Sequence, residues 1–253
     1  MNASRRIIEI CCADSNSIKA AVSGGADRIE LCSALSEGGI TPSDGMIRHT
    51  VASGLPVNVL IRPRGGDFVY TTDEVDIMCH DISVCGATGA HGVVIGALTV
   101  TGDVDMAACH RMIDTARSHS LSITFHRAFD LCRNPFEQFD RLIDLGVDRL
   151  LTSGQALSAL KGAEMLRALV MRSAGRIRIL AGAGVTAENA AEIIRLTGVT
   201  ELHASAKTTI QSKMNYRHES VKMGAADSDE YSRQTTSPEL VARLSEIIHD
   251  YEC

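Results

Sequence analysis

The chain has 253 residues, enough for one large domain or two small ones, and single α/β barrels commonly fall at this length. A net charge of −6 with no basic run excludes nucleic acid as a main partner. No stretch of 18 apolar residues occurs, so no membrane span is expected, and Glu9 interrupts the apolar start too early for a signal peptide.

Short β-rich runs alternate along the chain with longer helical segments. The first predicted strands are "IIEIC" (7–11), "RIELC" (28–32) and "VNVLIR" (57–62). Thr71 with Glu74 then forms a capping box that opens a helix. "GVVIG" (92–96) and "SITFH" (122–126) follow, and Asn134, Pro135 and Glu137 read as N-cap, first position and third position of the next helix. "RLLTS" (149–153), "RIRILA" (176–181) and "TELHAS" (200–205) complete a set of eight, with Thr186 as a helix N-cap between the last two. Ser237-Pro238 opens the final helix.

A phrase recurs in "GGADRIEL", "TGAHGVVI", "LGVDRLL" and "TGVTELH": a glycine where a helix stops, a short loop, then a strand. Repeated βα units mean a parallel sheet, and this repetition fits a closed barrel better than an open sheet. The expected fold is therefore one TIM (β/α)8 barrel over residues 1–253. Residues 206–236 are polar and aperiodic, and are expected to form a long loop over the C-terminal mouth. Met214, His218 and Met223 lie in it, with either a ligand or lid role, or mere packing and solvent exposure.

Strand side chains alternate between faces. Ile8, Ile10, Ile29, Leu31, Val57, Val59, Ile61, Ile123, Phe125, Leu202 and Ala204 form the apolar set, which must pack under the helices. The opposite set fills the barrel: Glu9, Glu30, Glu201, Arg62, His126 and His203, with the thiols of Cys11 and Cys32 near the mouth. A barrel built only for stability would use Val, Ile and Leu there. Two accounts fit such an interior, a functional site or a closed ionic network that fixes strand register.

The blocks "EICC", "GGADRIELC", "EGGITPS", "IRPRGGDF", "TFHRAFD", "LTSGQ" and "AGAGV", in that order, resemble the CutC family of copper homeostasis proteins over nearly the whole chain. The resemblance implies a TIM barrel, a cytoplasmic location, a homodimer and a role in copper handling, with copper ligands at Cys11 and Cys32. Soft thiolates favour Cu(I), and two sulfurs on neighbouring strands could share one ion. Cys12 should face elsewhere. The eight cysteines include no CxxC, which suits a reduced cytoplasmic protein and argues against a high-capacity metal carrier. Cys79, Cys85, Cys109, Cys132 and Cys253 are expected to be structural.

Copper does not explain the arginines. Arg62, Arg64 and Arg127 converge on one end of the barrel, beside the "AGAGVT" loop with Gly182 and Gly184 and beside Ser205 and Lys207. Helix N-termini and the loops after strands seven and eight favour anions. The alternative function is therefore an enzyme acting on a small anionic or phosphorylated metabolite. Glu9 or Glu30 would serve as base and His126 or His203 as acid. No organic cofactor is predicted. Arg62 is expected beside Glu30, Asp67 is expected to brace Arg64, and Asp130 is expected to orient the loop bearing Arg127.

Overall fold

The computed structural model describes residues 5–251 except 219, 222 and 224–228, so residues 1–4 of the expected domain and Cys253 lie outside the described residues. Eight strands and eight helices alternate: β1 (Ile7–Cys12), α1 (Ser15–Ser23), β2 (Arg28–Leu31), α2 (Asp44–Val51), β3 (Val57–Leu60), α3 (Thr72–Thr88), β4 (Gly92–Ile95), α4 (Met106–Ser118), β5 (Ser122–Phe125), α5 (Pro135–Asp144), β6 (Arg149–Thr152), α6 (Ala163–Ser173), β7 (Arg178–Ala181), α7 (Ala187–Thr197) and β8 (Glu201–Ala204), with α8 (Pro238–His249) last. The strands are parallel and close in sequence order, β8 pairing with β1, which is the expected TIM barrel.

The apolar strand face packs outward as the alternation requires. Ile8, Ile10, Ile29, Val59, Phe125 and Leu202 share one buried core with Met78, Ile82, Met112 and Phe139 from the helices. Cys12 is wholly buried in that outer core, whereas Cys11, Cys32, Leu60 and Val94 form a small separate cluster inside the barrel. The Thr71–Glu74 capping box is present, with Glu74 Oε2 accepting from Thr71 N–H at 2.8 Å. Asn134 does stand at the N-cap, but with φ of +47° and no side-chain capping bond to the helix backbone; its Nδ2 donates to Glu137 Oε2 at 3.5 Å.

The 206–236 segment is not a plain loop. β9 (Lys207–Gln211) and β10 (Ser232–Thr236) pair antiparallel across it. These strands are mostly exposed, so no hydrophobic alternation announces them. They are anchored instead by polar contacts to the barrel: Arg233 to Asp14 at 2.8 Å, and Thr236 N–H to Ser17 Oγ at 3.1 Å. Among the described residues no helix is long and apolar enough to cross a membrane.

Candidate functional site

The barrel floor is a closed charge network, and its cations are residues that the sequence argument passed over. Arg28 and Arg149, each about 5% exposed, point inward from the first positions of β2 and β6. Arg28 donates to Glu9 at 2.5 Å and to Glu201 at 2.6 Å; Arg149 donates to Glu201 at 2.5 Å. Asn58 adds a bond to Glu9 at 3.2 Å. Extending the alternation back two residues from Glu30 reaches Arg28, so the signal was present. Burial alone would raise the Glu9 carboxyl, but Arg28 and His203 more than reverse this and hold it well below the carboxylate range. Glu201 is lowered in the same way, with Arg28 and Arg149 outweighing its burial.

Above this floor sits the thiol cluster. The β1–β2 register sets Cys11 opposite Glu30 and Glu9 opposite Arg28. Cys11 and Cys32 Sγ are 3.7 Å apart. Ligand atoms of Cys11, Glu30 and His203 lie within 4.8 Å of one another. His203 bridges two carboxylates, with Nδ1 3.0 Å from Glu9 and Nε2 3.6 Å from Glu30. Burial opposes its charge, yet Glu30, Cys11 and Glu9 together raise it well above an ordinary histidine, so it is an imidazolium. The Cys11 thiol is pushed up by its bond to Cys32 and by burial. Glu30 is raised by burial, which His203 only partly offsets.

Two chambers open from this cluster. The inner one, about 160 Å³, is walled by Glu30, Arg62, Phe68, His126 and Leu151, and the outer one, about 480 Å³, by Gly184, Thr186, Ser205, Lys207 and Leu240. Cys11, Arg127 and His203 border both, so the two are continuous. Asp130 holds Arg127 at 2.7 Å while accepting from Thr152 at 2.5 Å, which is the loop-orienting role expected of it. His126 fits only because residue 96 is glycine: a Cβ there would sit 2.4 Å from its Cε1.

Several expected site residues stand elsewhere. Arg62 walls the inner chamber with Glu30, but its guanidinium is bound by the carbonyls of Glu37, Gly39 and Gly66 instead of by Glu30. Arg64 lines neither chamber; Glu74 at 2.5 Å and Asp67 at 3.1 Å engage it. Glu9 also lines neither, and its role in the site is to position His203. Gly182 is demanded by packing, since a Cβ would lie 2.6 Å from Leu151 Cδ1.

The CutC family profile matches residues 6–208. The chain belongs to the CutC family. It is 49% identical over 224 residues to a CutC protein of Parabacteroides distasonis, covering 88% of this chain and 91% of that one. It is 45% identical over 250 residues to a CutC protein of Vibrio cholerae, covering 96% and 98%. The solved copper homeostasis protein CutC from Streptococcus agalactiae superposes with a TM-score of 0.75 at 33% identity, over 79% of this chain and 98% of that one. Phosphoribosylanthranilate isomerase from Pyrococcus furiosus shares the barrel alone, with a TM-score of 0.56 at 16% identity over 97% of this chain and 100% of that one.

Proposed function

We propose that the chain takes part in copper homeostasis by binding one Cu(I) ion between the Sγ atoms of Cys11 and Cys32. The observation that carries this reading is the thiol pair itself, 3.7 Å apart inside the barrel and packed against Leu60 and Val94. Soft sulfur donors in a dry pocket suit Cu(I) and disfavour hard cations. Charge supports it too. A cuprous ion held by two thiolates carries one net negative charge, and the His203 imidazolium beside Cys11 supplies one positive charge. The Streptococcus agalactiae relative is named for copper homeostasis, which points the same way.

An anaerobic Cu(I) competition titration against a chromophoric chelator tests the reading. Wild type is expected to take one equivalent per chain, and Cys11→Ser/Cys32→Ser none. Cys12→Ser should bind like wild type, because Cys12 faces the outer core. Cys11 enters as a protonated thiol, so binding releases at least one proton and apparent affinity should rise at least about tenfold per pH unit near neutrality. Equal competition by wild type and the double variant would sink the proposal.

A further inference from the structure

The inner chamber contains two hydrogen-bond donors that the chain leaves unanswered. Arg62 is 6% exposed; Nη1 donates to the carbonyls of Glu37 at 2.7 Å and Gly39 at 2.9 Å, and Nη2 to that of Gly66 at 2.6 Å. Its Nε is buried and meets no acceptor in hydrogen-bond geometry among the described residues; the Tyr70 hydroxyl, close to the guanidinium but outside the chamber lining, is likewise buried and unpaired. His126 is 5% exposed, and its Nδ1 accepts from the Ala128 N–H at 3.1 Å. That bond fixes the ring proton of the neutral imidazole on Nε2, which is likewise buried without a partner. Burial, aided by the Arg62 charge, lowers His126 to about 3, so the ring is neutral at pH 7.

The two groups pack against one aromatic ring. The Phe68 ring carries the Arg62 guanidinium 4.9 Å above it and packs 4.8 Å from the His126 ring, and all three side chains wall the same chamber. Native proteins rarely bury unmet donors, and a pair of them on one cavity marks an acceptor that comes from outside the chain. The charge count agrees. Arg62 is met by neutral carbonyls, and no carboxylate among the described residues forms an ion pair with it, so one positive charge stands uncompensated. Two donors and one charge match a carboxylate. A phosphate dianion would ask for further donors, and the other cations at the chamber are engaged, Arg127 by Asp130 and His203 by Glu9 and Glu30. Leu60, Phe68 and Leu151 line the rest of the wall and suit a short carbon chain, with the outer chamber open beyond it.

We propose that the inner chamber binds a small organic monocarboxylate of two to four carbons, its carboxylate accepting from Arg62 Nε and His126 Nε2. Copper is not required for this site. Long-range 1H–15N spectra of the metal-free, reduced protein, labelled at histidine, test it by titration with glycolate, lactate and pyruvate, each against its amide. Each acid should shift the His126 Nε2 resonance saturably, and the amides should not. Arg62→Lys keeps the charge but loses the Nε donor and should weaken binding about tenfold, the cost of one charge-assisted bond. Leu151→Phe, which fills the chamber and leaves both donors in place, should abolish the shift. The proposal is overturned by wild type showing no saturable shift with any of the three acids up to about 50 mM, far above a millimolar Kd. Equal shifts from acids and amides would overturn it as well.

Discussion

Arg28→Met is expected to cost about 3–5 kcal/mol of stability, the usual penalty for removing one partner from a buried ionic network. Arg28 is the bridge between Glu9 and Glu201, and both carboxylates are almost wholly buried. Without it Glu9 retains His203 and Asn58, and Glu201 retains Arg149 and the rim residue Arg178. Each would keep a charge in a dry interior with one strong partner gone. For a chain of this size the loss should lower Tm by about 10 °C or more. Arg178→Ala is the matched control: its side chain is 66% exposed and lies 3.3 Å from Glu201, so its loss should cost under about 1 kcal/mol. Urea unfolding of the two variants separates the cases. Equal small losses would mean that the floor network does not hold the barrel together.

That network also shows how far the sequence could be read. The strands were legible because β-rich runs alternate with helical stretches, four of them after a glycine-terminated helix, and the inward set was legible because strands alternate with period two. Predicted strand ends at 62, 126 and 205 proved one or two residues long, since the ladder stops where the loops diverge toward the mouth. Arg28 and Arg149 were missed for a physical reason. A charged residue at the first position of a strand usually faces solvent, so the alternation that reaches them was outweighed by that expectation. Arg62 was placed in the right chamber with the wrong partner, because its carbonyl acceptors lie on a turn at 37–39 whose path no periodicity encodes. The β9–β10 hairpin was missed because its strands are mostly exposed and the buried residues of β10, Thr235 and Thr236, are polar, so no hydrophobic alternation marks them.

Cys11 of the thiol pair and the residues with unmet donors wall the same inner chamber. The ionic-network account of the polar interior applies to the layer beneath it. The Glu9–Arg28–Glu201–Arg149 layer is closed and satisfied, and the layer above it is open.

A pH experiment on His126 gives the second large effect. An unfolded histidine titrates near 6.5, whereas burial and Arg62 lower the folded ring to about 3. Between these values the unfolded chain takes up a proton that the folded protein refuses. The stability from keeping this ring neutral is thus complete above about pH 6.5 and is lost as pH falls toward 3. The slope is about 1.4 kcal/mol per pH unit for one proton, hence on the order of 3 kcal/mol between pH 6.5 and 4.5. Other buried groups also change their proton affinity on unfolding, including Glu30 and His203, whose folded values are raised. His126→Phe retains them and lacks only the imidazole, so the difference between wild type and variant isolates His126. At pH 7.5 the variant should be the less stable protein, having lost the acceptor for the Ala128 N–H. As pH falls its deficit should shrink and then reverse by pH 4.5, measured as urea midpoints across the range. A pH-independent difference would mean that the folded ring takes up a proton as readily as the unfolded one, so that neither burial nor the Arg62 charge holds it neutral.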